Sequence, residues 1–255
     1  MDTGRGKSLE GTRAGLAEDP EATQPQGWMG WLGEVSRHWL PAIAAVIVIR
    51  TFIFEPFRIP SGSMVPTLLI GDHVAVTKFS YGVWAPFFHR ELLDLGDPER
   101  GDVIVFRYPR DPSLNYIKRV VGVPGDRIRV QDNKVLLNGK FQARQFKGQF
   151  TFFNDRCRPI YTNQWSEDLA GREHAVLTNL NGHGMLASPD REWVVPDEHV
   201  FVMGDNRDNS EDSRRWDFVR YDQIKGKAHL IWLSWNACAG KFGEVRGERF
   251  FQKLK

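Results

Sequence analysis

A chain of 255 residues is long enough for one large domain or two small ones. A formal net charge of +2 leaves no basic footprint for a polyanion, so nucleic acid is not an expected partner. Cys157 and Cys238 stand far apart in no C-x-x-C or metal-ligand spacing, so they suggest no cysteine-built metal site and do not define a disulfide framework. Sequence does not decide whether the two pair, and two unpaired small side chains is the favoured reading.

Residues 1–27 are rich in Gly, Glu, Thr, Pro and Gln and nearly devoid of large apolar side chains. Such a segment cannot bury enough surface to offset its ordering entropy, so a disordered tail is expected. Trp28, Trp31 and Trp39 around Arg37 and His38 form an amphipathic, cationic flank of the kind found at membrane interfaces. From Trp39 to Phe57 the chain reads W-L-P-A-I-A-A-V-I-V-I-R-T-F-I-F-E-P-F. As a helix rising about 1.5 Å per residue, it spans nearly 30 Å, about one hydrocarbon core. Pro41 falls in the first turn, and Arg50 and Glu55 lie where long side chains snorkel. A buried core helix is the competing reading, because the uninterrupted apolar part is only eleven residues. A cleaved signal peptide is disfavoured by the acidic leader and the missing small-x-small pattern. The expectation is a single-pass anchor over 38–57, after a tail and interfacial flank over 1–37.

Ile59–Leu68 reads I-P-S-G-S-M-V-P-T-L. Pro60 and Pro66 stiffen the loop, and Gly62 lets another backbone approach it. A serine held there suits a nucleophile, with neighbouring N–H and O–H groups aimed at an oxyanion. An ordinary Ser/Gly/Pro turn is the plain alternative. Leu68–Asp72 reads as the start of a sheet, Asp72–Thr77 alternates as a half-buried strand does, and Gly101–Phe106 is a second strand. Tyr81–Arg100, with Pro86, Gly96 and Pro98, reads as a loop or extended excursion.

In Asn115–Asp126, strand alternation places Tyr116, Lys118 and Val120 on one face and Ile117, Arg119 and Val121 on the other. Lys118 is thus a cation with apolar neighbours on its own face. It either snorkels from a strand edge or, desolvated, loses its proton and acts as a base beside a serine. Residues 127–196 are β-rich and chemically quiet, with a hairpin signal at Asn138–Gly139, and read as an inserted β subdomain. Its histidines, His174 and His183, and His199 at its border are better explained as surface or hydrogen-bonded groups than as ligands. At Val200–Arg214 a strand ends in a loop crowded with carboxylates, amides and hydroxyls. A calcium loop fits it poorly, since Arg207 occupies a ligand position and the central glycine is absent. Ile224–Trp235 looks like a closing strand.

Three stretches together resemble bacterial type I signal peptidases: P-S-G-S-M-x-P-T-L, then Y-I-K-R-V-V-G-x-P-G-D, then G-D-N-R-D-N-S-x-D-S-R. The resemblance runs from about Phe57 to Asp126 and from Val200 to Trp235. It implies a mostly β fold, with an antiparallel β catalytic core in two parts (58–126 and 197–255), a variable β insertion, and one N-terminal transmembrane helix. It implies Ser63 as nucleophile, Lys118 as general base, and the Ser63 N–H with the Ser61 hydroxyl as oxyanion hole. Ser210 matches the serine that holds the lysine amine, and Asp212 and Arg214 a supporting pair. Phe57, Ile59, Met64, Leu68, Val105 and Tyr116 match positions lining shallow substrate pockets. Ile117 also matches, though alternation points it away from Lys118 and leaves its backbone as the comfortable participant. The implied partners are signal-peptide-bearing preproteins and the cytoplasmic membrane's phospholipid bilayer, with the catalytic part facing outward and no metal or cofactor.

Rival classes leave different marks. A self-cleaving regulatory peptidase carries a DNA-binding module, a penicillin-binding enzyme S-x-x-K and a zinc peptidase H-E-x-x-H, and none of these is apparent. A membrane-tethered β module that binds a partner, with or without calcium, is the non-enzymatic alternative.

Overall fold

The computed structural model describes residues 33, 36–37, 39–45, 54–78, 80–81, 83–84, 91–93, 96–181 and 191–254. The chain divides into two compact units, 1–46 and 47–255. In the first, residues 39–45 are helical, with Trp39, Leu40 and Ile43 exposed. The expected tail, Trp28, Trp31, residues 38 and 46–53 of the expected anchor and His183 lie outside the described residues. Among the described residues, no helix is long and apolar enough to cross a membrane.

The anchor expected over 38–57 must be shortened. Its last four residues belong to strand β1 (Phe54–Arg58), which pairs antiparallel with β2 (Asp72–Thr77). In F-E-P-F-R a period of two wins over helix: Glu55 and Phe57 are half-buried while Pro56 and Arg58 are exposed. Pro56 is tolerated because β1 is an edge strand. The sheet also starts later than Leu68, since residues 69–72 form a turn closed by the Asp72 N–H on the Leu69 carbonyl.

Within the expected excursion over 81–100, β3 (Val83–Trp84) and β4 (Glu91–Leu93) make a two-stranded sheet. The core resumes with β5 (Val103–Tyr108) and β6 (Asp111–Gly122). Next come β7 (Arg127–Gln131), β8 (Lys134–Leu137) and β9 (Lys140–Phe141). Three longer or middle-length strands follow: β10 (Ala143–Phe153), β11 (Pro159–Leu169) and β12 (Arg172–Asn179). β13 (Glu192–Val194) precedes β14 (His199–Met203) and β15 (Val219–Arg220). The chain closes with β16 (Ile224–Asn236), β17 (Glu244–Val245) and β18 (Gln252–Lys253).

The main sheet runs β1-β2-β16-β5-β6-β14-β15, with β17 and β18 also paired to β16, through antiparallel pairs throughout. β13-β7-β8-β9 and β10-β11-β12 form separate antiparallel sheets. Asn138 and Gly139 turn between β8 and β9 with φ of 50° and 79°, as a two-residue hairpin needs.

Two apolar layers position the site. Ile59, Met64 and Leu68 of the serine loop are buried with Val74, Val76, Val103 and Val105. On the other face of β5, Ile104 and Phe106 pack with Val120, Val202 and Trp216. The alternation of Val103 to Phe106 between the two layers follows from the period of a strand.

Cys157 and Cys238 are disulfide-bonded, their Cα atoms 5.3 Å apart, which corrects the expectation of two unpaired side chains. Cys157 sits in the β10–β11 turn and Cys238 just past β16. They are 81 residues apart in sequence, so the encounter depends on where the hairpin folds back, which spacing does not encode.

Candidate active site

Gly62–Met64 form one 3-10 turn, with the Val65 N–H donating to the Gly62 carbonyl at 3.2 Å. Burial of Met64 and Leu68 pulls the loop down onto the sheet. The loop after β14 grips it as well: the Asn206 N–H donates to the Ser63 carbonyl, and Asn206 Nδ2 to the Gly62 carbonyl, both at 3.0 Å. Ser63 is left only 8% exposed. Its N–H lies in the first turn, where donors lack an intrahelical acceptor. Ser61 is exposed, in extended backbone, and its side chain makes no capping bond.

Lys118 reaches the same point from β6. It pairs across from Ile104 and is 4% exposed. Its amine donates to Ser63 Oγ at 2.7 Å and to the Ile117 carbonyl at 2.9 Å, and stands 5.3 Å from the Tyr116 ring centre. Burial pushes the amine down to about 8, against the pull of the Asp212, Asp205 and Glu211 carboxylates. An amine that is partly neutral at ordinary pH, touching a hydroxyl, is arranged to take that hydroxyl's proton.

The polar loop is tied internally. Asp212 Oδ2 accepts from Ser210 Oγ at 2.7 Å and from the Gly204 N–H at 3.0 Å, and Arg214 Nε donates to Asp212 Oδ1 at 2.8 Å. The Ser210 hydroxyl therefore goes to Asp212, while the Lys118 amine bonds to Ser63 and Ile117. Burial alone would raise the Asp212 carboxyl, but Arg214, the Gly204 N–H and Ser210 hold it below the usual range. Asp208 accepts from Asn133 Nδ2 at 2.5 Å and from the Asn179 N–H at 2.7 Å. Carboxylates engaged in this way explain why the loop is rich in them.

Several supports were not legible as such. Arg119, on the opposite face from Lys118, holds Asp205 through two bonds of 2.9 and 2.8 Å, and Thr67 of the serine loop donates to the same carboxylate at 2.5 Å. Arg207 and Glu167 form a buried pair that joins the polar loop to β11. Asn206 and Gly204 lie inside the third motif, and that motif is the only signal pointing to them. At Gly204 a Cβ would fall 2.5 Å from the Ser63 carbonyl oxygen and 2.3 Å from Ser210 Oγ. Gly204→Ala is therefore expected to cost about 1–3 kcal/mol through overpacking. A urea midpoint equal to that of the wild type would refute this close approach.

The remaining expected residues divide between the two layers. Phe57, Ile59, Met64, Leu68, Val105 and Ile117 share the cluster beneath the serine loop. Tyr116 packs in the other layer, its ring stacked on Tyr108 with centres 4.5 Å apart. Ile117 lies opposite Lys118 in side-chain direction, yet its side chain packs in the same cluster as Met64, so both its backbone and its side chain meet the loop's surroundings. His174 is buried beside Glu167, and His199 Nδ1 lies 2.7 Å from the Asp197 carbonyl.

The family model described as signal peptidase, peptidase S26 matches residues 32–235. Signal peptidase I of Pseudomonas fluorescens is 43% identical over 218 residues, covering 80% of this chain and 73% of that protein. Its counterpart in Pseudomonas aeruginosa is 39% identical over 228 residues, covering 85% and 78%. A crystal structure of a signal peptidase I from Enterococcus faecalis is 25% identical with a TM-score of 0.31, covering 52% of this chain and 97% of that one. With the family match spanning both serine-bearing loops and the lysine strand between them, this chain belongs to the peptidase S26 family of signal peptidases.

Proposed function

We propose that this signal peptidase removes N-terminal signal peptides from exported preproteins by a Ser–Lys mechanism, cutting after small-x-small sites. The observation that carries the reading is the buried Lys118 amine 2.7 Å from Ser63 Oγ. Neutral Lys118 takes the Ser63 proton as Oγ attacks the carbonyl of the signal peptide's terminal residue. The resulting ammonium gives that proton to the leaving amine, and the regenerated amine activates water to hydrolyse the acyl-enzyme. The Ser63 N–H and the Ser61 hydroxyl stabilise the oxyanion, each donor being worth on the order of 3 kcal/mol. Ser210, Asp212 and Arg214 hold Gly204 and the Ser63 loop in place. The apolar residues around Met64 and Ile117, with Tyr116, bound shallow pockets that admit small side chains.

A single-pass anchor in the cytoplasmic membrane precedes β1, residues 127–196 form an insertion into the catalytic core, and the catalytic part faces outward. The Cys157–Cys238 disulfide supports an oxidising, extracytoplasmic location.

The direct test is cleavage of a secretory precursor by detergent-solubilised protein, with the new N-terminus sequenced. Cutting elsewhere than after a small-x-small site would overturn the substrate assignment. Because the base must be neutral and its amine sits at about 8, kcat/KM is expected to rise with pH and level off above about 8. A profile flat from pH 6 to 9 would remove Lys118 from the role of base.

A further inference from the structure

We infer that Phe152, carried by the inserted β10–β11 hairpin, is a positioning residue for the Ser63 loop, and that the Cys157–Cys238 disulfide tethers it there. This rests on Ser63 being the nucleophile. Gly62 immediately precedes Ser63, and a Cβ on it would meet Phe152 Cε2 at 3.2 Å, so the ring lies directly against the Gly62 backbone. Phe152 is 9% exposed and packs with Val65, from the same loop, and Leu177 of β12. The Gly62–Ser63 segment thus has two supports: hydrogen bonds from Asn206 to both its carbonyls, and an aromatic ring supplied by the insertion.

The hairpin reaches the loop with a part that has little sheet around it. β12 pairs with β11 from Thr162 to Leu169, whereas Phe152 pairs with Ile160. Among the described residues, the tip carrying Phe152 is therefore a two-stranded overhang, and two strands alone are marginal in water. Two things hold it down. One is burial of Phe152, with Phe150 and Ile160 half-buried beside it, while Phe153 and Tyr161 on the other face stay exposed. The other is the disulfide from Cys157, in the tip's turn, to Cys238, just after β16. β16 pairs with β2, the strand into which the serine loop runs. The tether thus joins the hairpin to the same sheet that receives the loop.

A nucleophile displaced by about 1 Å loses roughly 100-fold in rate. Phe152→Ala is therefore expected to lower kcat about 10- to 100-fold, with KM within about threefold of wild type. The ascending limb of the pH profile stays in place, because burial and the neighbouring Asp212, Asp205 and Glu211 carboxylates, rather than the bond to Ser63, set where the Lys118 amine titrates. Phe152→Leu, which refills part of the contact, is expected to recover to within about threefold of wild-type kcat. Phe153→Ala, on the exposed face, is expected to match wild type. Replacing both cysteines by serine lowers kcat in the same direction as Phe152→Ala. In the Phe152→Ala background, that replacement costs no more than about twofold further, because the tether acts through the ring.

The experiment is steady-state cleavage of one peptide spanning a small-x-small site by the full-length protein and these variants, with Ser63→Ala alongside. Wild-type kcat in Phe152→Ala, or fully additive losses when the cysteines are also removed, overturns the inference. If Phe152→Ala is unfolded at the assay temperature, Phe152→Leu decides instead: a two- to threefold fall in kcat at unchanged KM supports the role, and wild-type kcat overturns it. If Ser63→Ala retains activity, the nucleophile assignment itself fails. An inactive Ser63→Ala beside an unaffected Phe152→Ala removes only the inference about the hairpin.

Discussion

Lys118→Met is expected to abolish turnover while making the protein more stable at neutral pH. The loss of activity follows from removing the only amine in contact with Ser63 Oγ among the described residues. Removing one member of a nucleophile–base unit costs about 10⁴–10⁶-fold in kcat. The gain in stability follows from burial. An amine lowered from 10.5 to about 8 by desolvation represents up to about 3 kcal/mol of strain on the protonated folded state at pH 7. Methionine has nearly the same length and no charge, and gives up the hydrogen bonds to Ser63 and Ile117, the contact with the Tyr116 ring and the attraction of the nearby carboxylates. A net gain of about 1–3 kcal/mol is expected.

The pH dependence separates this from ordinary repacking. Between about pH 8 and 10.5 an unfolded chain still binds the lysine proton that the folded chain has released. Wild-type stability therefore climbs with pH across that window, and the advantage of Lys118→Met shrinks over it. Urea midpoints at pH 7 and pH 10 provide the check. A methionine variant less stable than wild type at pH 7 would mean that Lys118 is a structural cation.

Asp212→Ala is expected to lose about 3–5 kcal/mol, because it strands the buried Arg214 guanidinium without its carboxylate. The Gly204 N–H and the Ser210 hydroxyl lose their acceptor in the same step. Since Gly204 packs against the Ser63 carbonyl, activity falls with stability. Adding Arg214→Met removes the stranded charge and is expected to restore part of the stability, though not the activity. The stability that Asp212 contributes is present above the ordinary aspartate range, near pH 4. It is lost as pH falls through that value and the lower folded one. Thermal melts of the single and double variants measure both effects, and a double variant no more stable than the single would refute the stranded-charge account.

Much of the site was readable from local rules. Pro60, Gly62 and Pro66 announced a stiff loop open to close approach, because their effects act on the adjacent backbone. The placement of Tyr116, Lys118 and Val120 on one face follows from the two-residue period, which by itself sets Lys118 among apolar side chains. The membrane end is ambiguous at Phe54–Phe57, because four apolar or edge-tolerant residues suit a helix end and an edge strand alike. Only pairing with β2 chose between them.

By itself the sequence determined β2, β5, β14 and β16, the two faces of β6 and the stiff serine loop, since each depends on neighbours a few residues away. Tertiary structure alone decided which groups meet. Lys118 and Ser63 are 55 residues apart, Arg207 and Glu167 40, and Arg119 and Asp205 86. Cys157 and Cys238 are separated by 81, and Phe152 comes to Gly62 from another sheet. Side chains that far apart report their own chemistry in sequence but not their distance. That distance is set when burial of two apolar layers fixes strand register, and with it where each loop and hairpin comes to rest.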